Sequence, residues 1–335
     1  MPAMRLATKS AVLDKYNDRT KAHPPIGLAL GGGVARGWAH IGAIRALIEA
    51  GITPEIISGT SIGAVVGAAW ISGQLDELET WARALNKRRL LSYMDVRWGG
   101  GGLLRGERIA RVLEHYLGGL NIEDMPREFA AVACDLRTGY EVWLQNGPLV
   151  PALRASFALP GAFEPVLIDG RHMIDGALVN PVPVSTCRAL GAHIVIAVSL
   201  NGDAFGPIGS QHEIDFDEEE AGLDPFELAG QSLNKLRPDR LLMKSLLGGT
   251  KKDGKLKLGS VMMGTLNIVM DRIARSRLAG DPPDVFVAPR IGHIGMTEFT
   301  RADELIERGY RAMQHEIPLI QSVIDVLSQM PSASS

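Results

Sequence analysis

The chain has 335 residues, 46% of them apolar and 22% charged, with a formal net charge of −3. This composition suits a globular protein with room for a sizeable core, and the near-balanced charge gives no electrostatic case for nucleic acid as a partner. The two cysteines, Cys134 and Cys187, fit a reducing compartment better than a disulfide or metal cluster, and without a run of about 18 apolar residues no membrane span is expected.

Residues 1–24 are mixed in polarity, lack the continuous apolar segment of a secretory signal, and are expected to form an arm. The buried strand Ile26–Leu30 then leads into the glycine-rich loop Gly31–Gly37 and a helix from about Trp38 to Ala50, with Ile41, Ile44, Leu47 and Ile48 on one face. The next apolar pair, Ile56-Ile57, enters Gly59-Thr60-Ser61-Ile62-Gly63, and a helix follows to about Ser72. The first 75 residues thus read β-loop-α-β-turn-α, the opening of a parallel, doubly wound sheet.

Helical periodicity covers 75–92, Gly99–Gly102 reads as a loop, and 104–118 is helical again. Phe129–Cys134 and Tyr140–Leu144 form a candidate hairpin, and Pro148–Phe157 a short helix. Val166–Ile168 and His172–Ile174 flank the hairpin signal Asp169-Gly170. A helix near 183–190 precedes the most hydrophobic strand, Ile194–Val198. The expected organisation is an α/β core over 25–201, an acidic linker over 202–225, and a C-terminal helical extension over 226–330 that packs on the core. That extension holds amphipathic stretches at 226–247 and 260–278, a strand near 285–288, and one or two final helices over 302–329. Either amphipathic stretch suits core packing, a lid or a membrane-facing surface.

Gly59-Thr60-Ser61-Ile62-Gly63 fits the G-x-S-x-G nucleophile elbow, with Gly59 and Gly63 leaving room for a sharp strand-to-helix turn around Ser61. The helix beginning at Ile62 aims its amides at the place where an oxyanion would form. The loop Gly31–Gly37 lacks the glycine spacing of a dinucleotide fingerprint and the lysine of a P-loop, yet it offers backbone amides at a helix N-terminus. None of the eight histidines stands where a serine triad needs one. His40 and His172 read as structural. Asp175, at the end of an apolar strand and followed by Gly176 and Ala177, is the better candidate for a base, with a plain turn aspartate as the alternative. Three functions are open at this point: an ester hydrolase, a regulatory or partner-binding protein, and a weaker nucleotide-binding reading.

Taken together, Gly31-Gly32-Gly33-Val34-Ala35-Arg36-Gly37, the Ser61 pentapeptide and Asp175-Gly176-Ala177 resemble the signature set of the patatin-like phospholipases. The blocks Leu153–Gly161 and Val179–Pro183 share the likeness. The strings Gly37–Gly42, Gly102–Glu107 and Ala279–Pro283 are similar to a bacterial RssA-like subgroup. The resemblance implies a three-layer α/β/α fold with a mostly parallel sheet, and a serine–aspartate dyad that needs no cofactor and no metal. Ser61 is then the nucleophile, Asp175 the base, and the oxyanion hole is drawn from Gly31, Gly32, Gly33, Arg36, Gly37 and Ile62. The family loop usually has one residue between its third glycine and the basic residue; here there are two, Val34 and Ala35. Arg36 is expected to anchor the loop, and Ser156 to pack beneath the site. The implied substrate is a lipid or fatty-acyl ester, met in the cytoplasm or by peripheral contact with a membrane. The aspartate is expected to act near its reference value of about 3.9, with position and partial desolvation supplying its effect.

Overall fold

The computed structural model of the chain describes residues 23–93, 95, 102–201 and 258–329. The expected acidic linker, the amphipathic stretch 226–247 and most of the N-terminal arm lie outside the described residues.

The centre of the molecule is a mixed sheet. Its strands are β1 (Ile26–Leu30), β2 (Ile56–Thr60), β4 (Glu128–Asp135), β5 (Glu141–Leu144), β7 (Val166–Ile168), β8 (Arg171–Asp175), β9 (Ile194–Val198) and β10 (Val285–Val287). Along the sheet the order is β10-β9-β1-β2-β4-β8-β7, with β5 also paired to β4. The first five are parallel, whereas β8, β7 and β5 join antiparallel. β1 and β9 are buried along their whole length and read as continuous apolar runs, as strands covered on both faces do.

Alternation along these strands sorts the core into two layers. Leu28, Leu30, Ile194, Ile196 and Val198 face one cluster, whereas Ala29, Val195 and Ala197 face the other. The first layer is covered by α1 (Ala39–Glu49), α2 (Ile62–Ile71) and α9 (Ala302–Gln329), and the second by α7 (Val184–Ala189) and α8 (Leu258–Gly280). The result is the expected three-layer α/β/α arrangement. α9 lies so close on α1 that a Cβ at Gly42 would overlap the carbonyl oxygen of Ile306, and one at Gly309 would overlap that of Ala39. α9 is one helix that runs through Pro318 and gives up a backbone hydrogen bond there.

Three local expectations change. The stretch 75–92 divides into α3 (Leu75–Arg83) and α4 (Lys87–Tyr93). Of the loop read over Gly99–Gly102, Gly102 belongs instead to a strand, β3 (Gly102–Leu104), paired in parallel with β6 (Gly161–Phe163), and residues 99–101 lie outside the described residues. Partners nearly sixty residues apart leave no local trace. α5 (Glu107–Leu117) starts later than periodicity suggests: Gly106 takes a positive φ of 70°, and the Asp95 carboxylate accepts from the Gly106, Glu107 and Arg108 amides. α6 (Leu149–Ser156) and the β7–β8 hairpin fall as expected. The hairpin's Asp169 and Gly170 both have positive φ, as a type I′ turn requires.

Candidate active site

Ser61 stands where β2 turns into α2. Its backbone is at φ 57° and ψ −124°, a conformation that costs a non-glycine residue about 1–3 kcal/mol and persists only when its surroundings hold it. The glycines on either side allow the turn. A Cβ at Gly59 would overlap the Ala64 backbone, and one at Gly63 would overlap the Leu30 carbonyl. Ser61 N–H donates to Ser156 Oγ at 2.8 Å, and Ser156 Oγ–H donates to Val132 O at 2.6 Å. The α6 hydroxyl therefore ties the strained amide to the neighbouring strand.

Strand register brings Asp175 to the same level. Thr60 pairs with Val132 across β2–β4, and the next residue of β4, Ala133, pairs with Asp175 across β4–β8. Ser61 Oγ–H donates to Asp175 Oδ2 at 2.8 Å, while Asp175 Oδ1 accepts from Ala177 N–H at 2.8 Å. The carboxylate thus caps the turn Gly176–Leu178 with one oxygen and holds the serine with the other. Gly176 is required because a Cβ there would overlap the Val132 carbonyl. Asp175 is only 2% exposed. Burial pushes its carboxyl up to about 7, outweighing the hydrogen bonds from Ala177 and Ser61 that pull it down. This corrects the expectation of a value near that of a free aspartate.

The glycine loop is partly committed to its neighbours. Gly31 N–H donates to Val198 O at 3.0 Å, Gly32 N–H to Pro181 O at 2.9 Å, and Arg36 N–H to Gly33 O at 3.1 Å. Of the expected amide donors, those three are spoken for. The amides of Gly33, Val34, Ile62 and Gly63 donate to no acceptor among the described residues. Val34, at φ 52°, lines the same cavity as Ser61 and Ile62. It belongs to the two-residue spacer before Arg36, which was the available signal that the amide geometry differs here. Arg36 anchors the loop as expected: its guanidinium donates to Ile294 O at 2.7 Å, Gly292 O at 3.1 Å and Asn201 Oδ1 at 3.2 Å. Gly37 has no side chain because one would strike that of Ile62.

His40 is wholly buried and bonds the Gly31 carbonyl through Nε2 at 2.7 Å. Burial lowers it to about 4, so the ring is neutral at ordinary pH and carries its proton on Nε2. It braces the glycine loop from behind. Among the described residues no histidine bonds Ser61 or Asp175, and no group of three or more His, Cys, Asp or Glu could hold a metal ion.

The pair opens on an apolar cavity of about 220 Å³. Trp38, Val65, Leu113, Phe157 and Phe163 are among its walls. Among the described residues no helix is long and apolar enough to cross a membrane.

An elbow serine, an aspartate on the adjoining strands and a glycine loop on a mostly parallel α/β sheet define a patatin-like fold. Residues 28–188 match the model of the patatin-like phospholipase family. The uncharacterized NTE family protein Rv1063c of Mycobacterium tuberculosis is 34% identical over 326 residues, covering 87% of this chain and 91% of its own. The chain belongs to the patatin-like phospholipase family, and that membership supports lipid hydrolase activity. Two larger proteins share the same region. Lysophospholipase NTE1 of Pyricularia oryzae is 29% identical across 85% of this chain, which spans 18% of its length. Neuropathy target esterase sws of Drosophila melanogaster is 32% identical across 57% of this chain, which spans 13% of its length.

Proposed function

We propose that the chain is a serine acyl hydrolase that cleaves carboxylic ester bonds of lipids, of phospholipase A or esterase type, through Ser61 and Asp175. The observation that carries this reading is the 2.8 Å hydrogen bond from Ser61 Oγ to Asp175 Oδ2 in a buried site. Ser61 Oγ attacks the ester carbonyl while Asp175 Oδ2 takes its proton. The unpaired amides of Gly33, Val34 and Ile62 receive the oxyanion. The alcohol leaves with the proton from Asp175, and an acyl ester remains on Ser61. Water then attacks that ester, again giving a proton to Asp175, and the acid is released as Ser61 recovers its own.

A buried carboxyl with a value of about 7 is better matched to proton transfer at neutral pH than a free aspartate. The apolar cavity beside Ser61 suits the acyl chain, and the lysophospholipase name of the fungal relative agrees with a lipid bearing one such chain. Similarity to the RssA-like subgroup and peripheral work at a lipid surface belong to the same proposal. The test is turnover of a short-chain fluorogenic ester by Ser61→Ala and Asp175→Asn, alongside labelling by a fluorophosphonate probe. The proposal expects loss of turnover in both variants and loss of label in Ser61→Ala. Wild-type turnover in both variants would overturn the dyad. A folded wild-type protein that takes no label would favour a regulatory role.

A further inference from the structure

One wall of the apolar cavity also faces a second hollow. Trp81, Tyr93, Val112 and Tyr116 line the cavity and also line a surface groove of about 570 Å³. Ser61 and Asp175 line the cavity but not the groove. The four side chains, each half-buried, are therefore shared between the cavity that reaches Ser61 and Asp175 and the groove, and form a partition between them.

The partition is braced. Trp81 Nε1–H donates to the Tyr93 hydroxyl at 3.1 Å, and the two rings lie 5.6 Å apart. Trp81 also packs its edge on Trp38 at 5.9 Å. Arg108 Nη1–H donates to Ser92 O at 2.6 Å, clamping α5 to the end of α4. The two sides differ in chemistry. On the cavity side the neighbours are Leu113, Leu117 and Phe163. On the groove side they are Arg108, Arg111 and His115, all exposed and spaced along one face of α5.

We propose that Trp81, Tyr93, Val112 and Tyr116 form the floor of the acyl site and set the longest chain the enzyme accepts. The inference rests on the acyl-hydrolase reading of Ser61 and Asp175. Up to the floor, each added methylene leaves water for an apolar wall and favours the complex about fourfold. Beyond it, a chain meets cations and water, and further methylenes gain nothing.

The experiment has two arms. One measures kcat/KM for straight-chain 4-nitrophenyl esters from butyrate to palmitate. The other measures displacement of a fluorescent fatty acid by free fatty acids of the same lengths, which needs no turnover. Both profiles should climb and then break at one chain length. Tyr116→Ala should move the break to longer chains, raising the palmitate-to-octanoate ratio by about tenfold or more, the worth of two methylenes. Val112→Trp, which fills space without removing a wall residue, should move it to shorter chains. A break that stays put in the folded variants overturns the proposal, as does fatty-acid binding with no dependence on length. A binding limit that shifts as described, with no ester turnover at any length, leaves the floor standing and removes the hydrolase reading.

Discussion

The two segments that meet at the Ser61–Asp175 hydrogen bond are held in opposite ways. The conformation of Ser61 is set mainly inside one β-turn-α unit, by glycines that let β2 and α2 fold back on each other, with one distant tie from its amide to Ser156. Asp175 is held from a distance. Its strand runs antiparallel to β4, its amide donates to Ala158 O at 3.0 Å, and its position depends on register across β2, β4 and β8. Burial adds a second contrast. Ser61 carries no charge to lose, whereas the Asp175 carboxyl is driven up to about 7 by the same enclosure. A short motif can store a nucleophile's geometry, but a base with a raised value needs the whole sheet around it.

The largest effect should come from removing the locally held member. Ser61→Ala is expected to lower kcat by about 10⁴-fold or more with the fold intact, as removal of a nucleophile does; ester turnover and circular dichroism check both halves.

Asp175→Asn should cost about 10²–10⁴-fold, the usual worth of general base catalysis. The amide has one acceptor oxygen for two donors, Ala177 N–H and Ser61 Oγ–H, so its NH2 group must face the serine and make it an acceptor. The wild-type enzyme should lose kcat/KM tenfold per pH unit below about 7, because the base must be ionised. Stability should run the other way. The unfolded aspartate titrates near about 3.9, so between that value and 7 the folded chain holds a proton the unfolded chain has released. The favourable contribution is whole only below about 3.9, falls steadily above that value, and is gone once the pH has risen through the folded value of about 7. Asp175→Asn should therefore melt above the wild type at pH 8.5, by a margin that narrows markedly at pH 5. A pH-rate profile with no limb near 7, or equal melting at both pH values, would break the contrast between the two segments.

Smaller effects sharpen it. Gly309→Ala places a methyl group against the Ala39 carbonyl at the α1–α9 crossing, and overpacking of this kind costs about 1–3 kcal/mol. Denaturant melts should show that loss with little change in KM. Ser156→Ala leaves the Ser61 amide unpaired, at a cost of about 1–3 kcal/mol. It should lower kcat more than a surface change of equal stability cost, since it relaxes the elbow itself.

The parts legible in the chain were those built from neighbours in sequence. Gly59, Ser61 and Gly63 specify the elbow because strand, turn and helix are contiguous there, and Asp169-Gly170 specifies a hairpin for the same reason. The long apolar runs of β1 and β9 already implied a sheet buried on both faces. Other features depended on separation. β3 pairs with β6 across nearly sixty residues, Asp95 caps a helix beginning twelve residues later, and Ser156 reaches the Ser61 amide from α6. The aromatic partition joins residues of α3, α4 and α5 that share no motif.

By itself the sequence singled out Ser61 at the centre of an elbow, the small residues around it, and an aspartate in a turn suited to approach it. Tertiary structure alone decided that Asp175 lies 2.8 Å from Ser61, that Gly31 and Gly32 spend their amides on Val198 and Pro181, and that burial retunes the carboxyl. The reason is physical: local φ/ψ geometry and steric room are written in adjacent residues, whereas hydrogen-bond partners and desolvation arise only when distant strands and helices close around a point.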